Sequence, residues 1–243
     1  MTYLLAFIFP VFDEDDNIIN RIYEINALSS LVQGTICVVF SDDTPGPEVV
    51  DARLSDLKSS LQIDVIHIPR CLSQAPRGLA FSVLDGIKSV DADFYCIADV
   101  DGQHSMWDAF QMFQISRSSS SVVIGSRFIK GGGMGSYKHF ISAFIFNFFL
   151  SFLNGFKVSD KTGGFAVLPA SSIKLILAYS KYVFFGYGDY FIALSKVLAL
   201  HNIFVKNYPV FYRLRSSGYS KSNFLFMIFS YSCRCFRRPF IVP

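Results

Sequence analysis

The 243-residue chain is short of charge: Asp, Glu, Lys and Arg make up 17% of it, against about 25% in ordinary soluble domains. Part of its surface is therefore expected to rest against something other than water. The net charge of +3 is too small for nucleic acid to be the main partner. Five cysteines, an odd number scattered through apolar segments and the tail, make no disulfide framework and fit a reducing cytoplasm. Cys233-Arg234-Cys235 has no second pair to complete a zinc site. The first ten residues lack a basic n-region and a small-residue cleavage site, and read as a buried strand, not a signal peptide. No internal repeat and no domain linker stand out.

What the chain has instead is apolar bulk, with 51% hydrophobic residues and 27 Phe. Apolar runs of strand length at Tyr3–Phe9, Thr35–Phe40, Ile63–Ile68, Phe94–Ile97 and Val122–Ile124 alternate with helical patterns. Ile18, Ile19, Ile22 and Ile25 form one helical stripe, behind an N-cap offered by Asp15-Asp16-Asn17. Further helices are expected over Val49–Leu61, from Gly78 to Ser89, beyond Trp107 and over Tyr190–Leu200, with later strands reaching Pro169 and spanning Ile203–Tyr212. Strands alternating with helices predict an α/β fold, a mostly parallel sheet covered on both faces.

In such sheets ligands collect at the carboxyl ends of the strands. Three acidic pairs fall there: Asp13/Glu14, Asp42/Asp43 and Asp99/Asp101. Asp99-Val100-Asp101-Gly102-Gln103-His104 follows a buried-strand pattern with two carboxylates and an amide oxygen. That is a donor set suited to Mg²⁺ or Mn²⁺ shared with a diphosphate, since such cations take one or two protein carboxylates. His104 reads as a loop orienter. The Lys130–Gly135 loop is too rich in glycine to be rigid.

Phe140–Phe156 is almost entirely Phe, Ile and Leu, with Asn147, Ser151 and Asn154 as a narrow polar stripe. It is short for a membrane span and reads either as a buried helix or as one lying in the bilayer interface. The second is favoured because Lys138 and His139 precede it. The aromatic run Phe224–Phe229, followed by Arg234, Arg237 and Arg238, suits a cytoplasmic leaflet.

Taken in order, these loops resemble family 2 glycosyltransferases of the GT-A fold, most of all the polyprenol-phosphate sugar transferases. Pro10-Val11-Phe12-Asp13-Glu14 stands where the family has P-x-Y-N-E, Ser41-Asp42-Asp43-Thr44-Pro45 where it has D-D-G-S-P, and Arg77-Gly78-Leu79-Ala80 where it has R-G-L-G. Asp99–His104 matches its D-A-D-L-Q-H, Gly125-Ser126-Arg127 its G-S-R, and Asp160–Phe165 the start of its D-x-T-S-G-F-R. Arg215–Lys221 matches R-x-x-G-x-S-K. Departures are Asp13 for Asn, Ser41 for the first Asp, and Ala166 for the closing Arg.

The resemblance implies a GT-A domain over residues 1–221, with residues 222–243 as an apolar and basic tail at a membrane interface. It implies inverting transfer of a hexose from a GDP- or UDP-linked donor to a dolichyl or undecaprenyl phosphate. Pro10, Phe12 and Glu14 then border base and ribose, Asp42 meets the nucleoside, and Arg77 lies near the diphosphate. Asp99, Asp101 and Gln103 hold Mg²⁺ or Mn²⁺. Arg127, Arg215 and Lys221, with Lys138 and Ser220, hold the acceptor phosphate, whose second pKa of about 6 leaves it a dianion that needs no general base. The family's bacterial transmembrane hairpins have no counterpart after the S-K element, which implies a membrane-protein partner and a peripheral place on the cytoplasmic face. Two other readings stay open: a hydroxyl acceptor with Asp189 of Gly186-Tyr187-Gly188-Asp189 as base, and a non-catalytic nucleotide-sugar-binding homologue. No Q-x-x-R-W element argues for a processive synthase.

Overall fold

Tyr3–Val11 (β1) is apolar along nearly its whole length, and alternate residues leave it on opposite faces. Leu5, Phe7 and Phe9 enter one core, while Ala6 and Ile8 enter another. A strand buried on both sides needs partners on both edges and helices above and below. The computed structural model, which describes residues 2–44, 54, 61–70, 77–154, 158–186, 188–214 and 224–241, supplies them.

Among the described residues seven strands form the main sheet. Ile36–Asp42 (β2) and Ala92–Ile97 (β4) pair parallel with β1, and Asp64–Pro69 (β3) extends the sheet beyond β2. Beyond β4 the order continues with Ala166–Pro169 (β7), Val122–Ser126 (β5) and Val205–Pro209 (β8), giving β3-β2-β1-β4-β7-β5-β8. β7 alone runs antiparallel to its neighbours. Gly133–Met134 (β6) and Phe211–Tyr212 (β9) make a small parallel ribbon.

Asp15–Leu28 (α1) and Met106–Ser119 (α3) cover one face, packing Ile18, Ile22, Ile25, Phe110 and Phe113 against Phe7 and Phe9. The other face receives Leu79–Lys88 (α2), Ala170–Ala178 (α5), Ser180–Val183 (α6) and Tyr190–Leu200 (α7). Tyr137–Asn154 (α4) and Phe224–Phe236 (α8) complete the described helices.

Several expectations are corrected. The cap of α1 is Glu14, so the helix begins at Asp15, one residue earlier in the chain than an Asp15-Asp16-Asn17 cap would place it. The expected single strand Ile203–Tyr212 breaks at Val210 into β8 and β9. The glycine-rich loop is not loose. A side chain at Gly132 would meet Ser126 O at 2.5 Å, one at Gly133 would meet Phe211, and the N–H groups of both are hydrogen-bonded. Here glycine permits close approach. Within the tail, α8 packs on α4 and α7, with Lys196 Nζ donating to Cys235 O (2.6 Å) and Tyr182 Oη to Arg237 O. The helix expected over Val49–Leu61 lies outside the described residues except at its end and at Leu54.

Candidate active site

The carboxyl ends of β1, β2, β3 and β4 converge, and the loops leaving them are tied to one another. Asp13, at φ 58°, takes the left-handed conformation that Asp and Asn tolerate best, and its N–H donates to Thr44 Oγ1 at 2.7 Å. Asp43 N–H donates to Val11 O, and its Oδ2 accepts the N–H of Gly78 at 2.8 Å. Asp43 thus joins β1 through its backbone N–H and the start of α2 through its carboxylate. Phe12 remains 40% exposed beside them.

Asp42 is placed differently from the expectation that it meets a nucleoside. Its side chain is fully buried, with Oδ1 accepting Thr44 N–H (2.8 Å) and Oδ2 3.2 Å from His67 Nε2. Burial pushes this carboxyl up, and the bonds from His67 and Thr44 more than offset it, so its pKa lies below the ordinary value. Arg77 is half exposed and ion-paired with Asp85, in the second turn of the helix that Arg77 precedes.

The loop after β4 is braced from beneath by residues that no motif marked. Arg21 Nε donates to Val100 O, Arg21 Nη1 pairs with Glu24 at 2.6 Å, and Glu24 Oε1 accepts the N–H of Met106 at the start of α3. The only sequence signal was two polar residues on the side of α1 nearest the loop. His104 is the expected orienter: its ring is fully buried, stacks on Phe165, and accepts the N–H of Asp99 at Nδ1 (2.9 Å). Burial, then Arg21 and Arg127, hold its pKa well below the usual value, so it stays neutral.

On this base Asp99 exposes 40% of its side chain. Asp101 is buried, with Oδ1 accepting Gln103 N–H at 3.0 Å. Gln103 Nε2 donates to Arg213 O (3.3 Å), which turns the amide nitrogen away and leaves Oε1 as an acceptor. Among the described residues no three His, Cys, Asp or Glu side chains gather into a cage. Two carboxylates and one amide oxygen fit a hard cation that takes its remaining ligands from a diphosphate.

Arg127, expected to grip the acceptor, instead closes on Asp160. Nε and Nη2 reach the two carboxylate oxygens at 2.7 and 2.9 Å, and Nη2 also donates to Thr162 Oγ1. Its guanidinium lies 4.6 Å from the Tyr212 ring. Burial alone would weaken its charge, but Asp160 more than restores it and the pKa rises. Arg127 is a buried structural cation at the rim of the site. Ala166, where the family has Arg, is fully buried in β7 between Ile97 and Ile124, so a cation there would enter the core. Asp189 is also buried, 3.6 Å from Arg234 Nε of α8. Arg234 in turn donates to the carbonyls of Tyr182 and Val183 at the end of α6. Arg215, Lys221 and Ser220 lie outside the described residues.

With this geometry in view, the comparisons are informative. The mannosyl-3-phosphoglycerate synthase of Rubrobacter xylanophilus superposes with a TM-score of 0.58 at 17% identity, covering 96% of this chain and 72% of its own. The glucosyl-3-phosphoglycerate synthase of Mycobacterium tuberculosis, solved with Mn²⁺ and UDP-glucose, gives 0.59 at 12%, covering 96% and 79%. The fold is the GT-A fold. A mannosyltransferase of Pyrobaculum calidifontis, solved with GDP-mannose and Mn²⁺, gives 0.56 at 13%, covering 90% and 59%. Among curated proteins, a dolichol-phosphate mannosyltransferase of Pyrococcus furiosus is 29% identical over 129 residues, which are 53% of this chain and 34% of that protein. The match thus spans about a third of that relative's length. No family model matches the chain. Within the GT-A frame, β1, β2 and β4 carry the three acidic loops.

One buried cation gives this region a pH signature. Lys161 is 1% exposed, and burial pushes its ammonium down to about 8, an effect Asp160 only partly offsets. In the unfolded chain it titrates near 10.5, so between pH 8 and 10.5 the unfolded state holds more protons and stability rises with pH. The charged Lys161 costs its full penalty below pH 8, about 3 kcal/mol at 1.36 kcal/mol per unit. The melting temperature of wild type minus that of Lys161→Met is therefore expected to increase from pH 8 to pH 10.5. A flat difference would contradict the assignment.

Proposed function

We propose that the protein transfers a hexose from a nucleotide-sugar to a lipid-linked phosphate, a polyprenyl phosphate, at a membrane surface. The observation that carries the reading is the two-way bond between Gln103 and Arg213: Gln103 Nε2 donates to Arg213 O, and Arg213 N–H to Gln103 O at 3.2 Å. The bond sets Arg213 beside the loop of Asp99 and Asp101, and in sequence Arg215 and Lys221 follow it. The β6–β9 ribbon pairs Gly133 and Met134, which lie between Lys130 and Lys138 in sequence, with Phe211 and Tyr212.

In this reading Phe12, with Pro10 and Glu14, lines the nucleoside site, and Asp42 and Asp43 shape its floor. Asp99, Asp101 and Gln103 hold Mg²⁺ or Mn²⁺, which supplies Lewis-acid stabilisation of the leaving nucleoside diphosphate. The Mn²⁺ complexes of the GT-A neighbours and the dolichol-phosphate relative support donor, cation and acceptor in turn. Arg215, Lys221, Lys130 and Lys138 position the acceptor phosphate, whose oxygen attacks the anomeric carbon with inversion as the diphosphate leaves. A dianionic nucleophile has no proton to surrender, and cations suffice. The Asp189–Arg234 pair weighs against the hydroxyl-acceptor alternative, because its carboxylate is buried against a guanidinium.

The membrane part rests on α4, an inside-out helix. Asn147, Leu150 and Ser151 face the protein, while Ile145, Phe148 and Phe152 are 62%, 58% and 76% exposed, with Ile141, Phe144 and Phe149 beside them. The neighbouring α8 adds exposed Phe229 and Phe236. An exposed apolar patch of this kind is expected at an interface. Among the described residues no helix is long and apolar enough to cross a membrane, so the surface is read as lying on the bilayer.

Purified protein with Mn²⁺ and a panel of GDP- and UDP-sugars is expected to glycosylate polyprenyl phosphate, and Asp101→Ala to lose about a hundredfold or more, equivalent to roughly 2.7 kcal/mol. Transfer to 3-phosphoglycerate instead, the acceptor class named for two neighbours, would overturn the lipid acceptor. Full activity in Asp101→Ala would overturn the cation site. Phe148→Ser combined with Phe152→Ser removes two apolar anchors worth roughly 1.5–3 kcal/mol each. Its co-sedimentation with anionic vesicles is expected to fall more than about a hundredfold, and unchanged sedimentation would remove α4 as the membrane face.

A further inference from the structure

The polar stripe of α4 is not spare surface. Asn147 Nδ2 donates to Ser159 O at 2.6 Å, and Asn147 Oδ1 accepts the N–H of Lys161 at 2.8 Å. One side-chain amide therefore grips the backbone on both sides of Asp160. Lys161 Nζ adds a bond to Ser151 Oγ, one turn further along the same helix, at 3.0 Å. Ser159 is fixed from the sheet as well, its N–H and Oγ both donating to Asn207 Oδ1 on β8. Between these restraints Asp160, fully buried, directs both oxygens at Arg127. Arg127 leans on Tyr212, whose hydroxyl donates to Gly163 O, and Tyr212 also packs edge-on against His104 of the cation loop.

We propose that Asn147 is a positioning residue that couples the outward apolar helix to the Arg127–Asp160 pair and, through it, to the acceptor side of the site. This inference rests on the lipid-phosphate reading for its role in turnover, but not for its structural content. An Asn in the middle of an otherwise apolar helix costs burial energy unless both ends of its amide are bonded. Here both are, to the residues flanking Asp160. Leu would supply apolar packing for α4 but leave Ser159 O and the Lys161 N–H without these bonds. What Leu cannot do is fix the direction of the Asp160 backbone, and a two-pronged carboxylate–guanidinium fork is sensitive to direction. A helix resting on a bilayer is thereby held in register with the loop whose cation lies at the rim of the site.

The test uses the full chain. Asn147→Ala removes both bonds; Asn147→Asp keeps the acceptor for Lys161 N–H and loses the donor to Ser159 O; Phe148→Ser alters only the outward face. The structural readout is the NMR signal of Arg127 Nε–H, assigned by its loss in Arg127→Lys. Its exchange with water is expected to be slow in wild type and Phe148→Ser, at least tenfold faster in Asn147→Ala, and intermediate in Asn147→Asp. In the transfer assay kcat is expected to fall at least tenfold in Asn147→Ala while the donor KM stays within twofold. Unchanged Arg127 exchange in both Asn147 variants overturns the proposal, whatever the activity. If Asn147→Ala does not fold, Asn147→Asp decides on the same signal. A wild type without transfer activity but with the exchange response removes the proposed function and supports the clasp.

Discussion

The interaction on which the loops beyond β5 and before β7 depend is the buried fork between Arg127 and Asp160. A guanidinium and a carboxylate withdrawn from water do not by themselves guarantee stability, because desolvation consumes much of what their attraction returns. Their value lies in direction. The fork fixes the end of β5 against the loop that leads into β7, and the Arg127 face then sets Tyr212, which packs on His104, which in turn holds the backbone of Asp99. The loop of Asp99 and Asp101 at the end of β4, the end of β5 and Tyr212 of β9 are thus registered to one another by a short chain of buried polar and aromatic contacts.

Much of the sheet was legible because its strands are buried on both faces and its helices carry plain apolar stripes. Tyr3–Val11 and Ile36–Asp42 need no context to read as parallel-sheet strands, and the acidic residues at their ends mark the ligand edge. The antiparallel insertion of Ala166–Pro169 between β4 and β5 was not legible: four apolar residues say nothing of direction, which the connecting helices decide. The bracing of the cation loop by Arg21 and Glu24 escaped because a salt bridge on a helix resembles any solvated pair until the loop above it is known. The glycines at 132 and 133 were misread for a similar reason. Freedom of the backbone and closeness of approach both call for glycine, and only the neighbours distinguish them.

Residues assigned by motif fall into two groups. Asp99, Asp101 and Gln103 sit where oxygen donors can meet a diphosphate. Asp42, Arg77 and Arg127 are engaged with His67, Asp85 and Asp160, so their motif positions serve the architecture around the ligand. The apolar helix is buried at Asn147 and Ser151 and exposed at Ile145, Phe148 and Phe152, an arrangement its periodicity did not fix. Helix α8, folded back on it, brings Arg234 within 3.6 Å of the buried carboxylate of Asp189.

The central claim is that a phosphate already charged makes the attack, with cations in place of a base. The measurement that tests it most directly is turnover of Asp189→Asn with polyprenyl phosphate and a nucleotide-sugar donor in Mn²⁺. The account predicts turnover per folded molecule within about tenfold of wild type, a barrier change of roughly 1.4 kcal/mol or less. A loss of about a thousandfold or more with unchanged donor affinity would make Asp189 the base and contradict it.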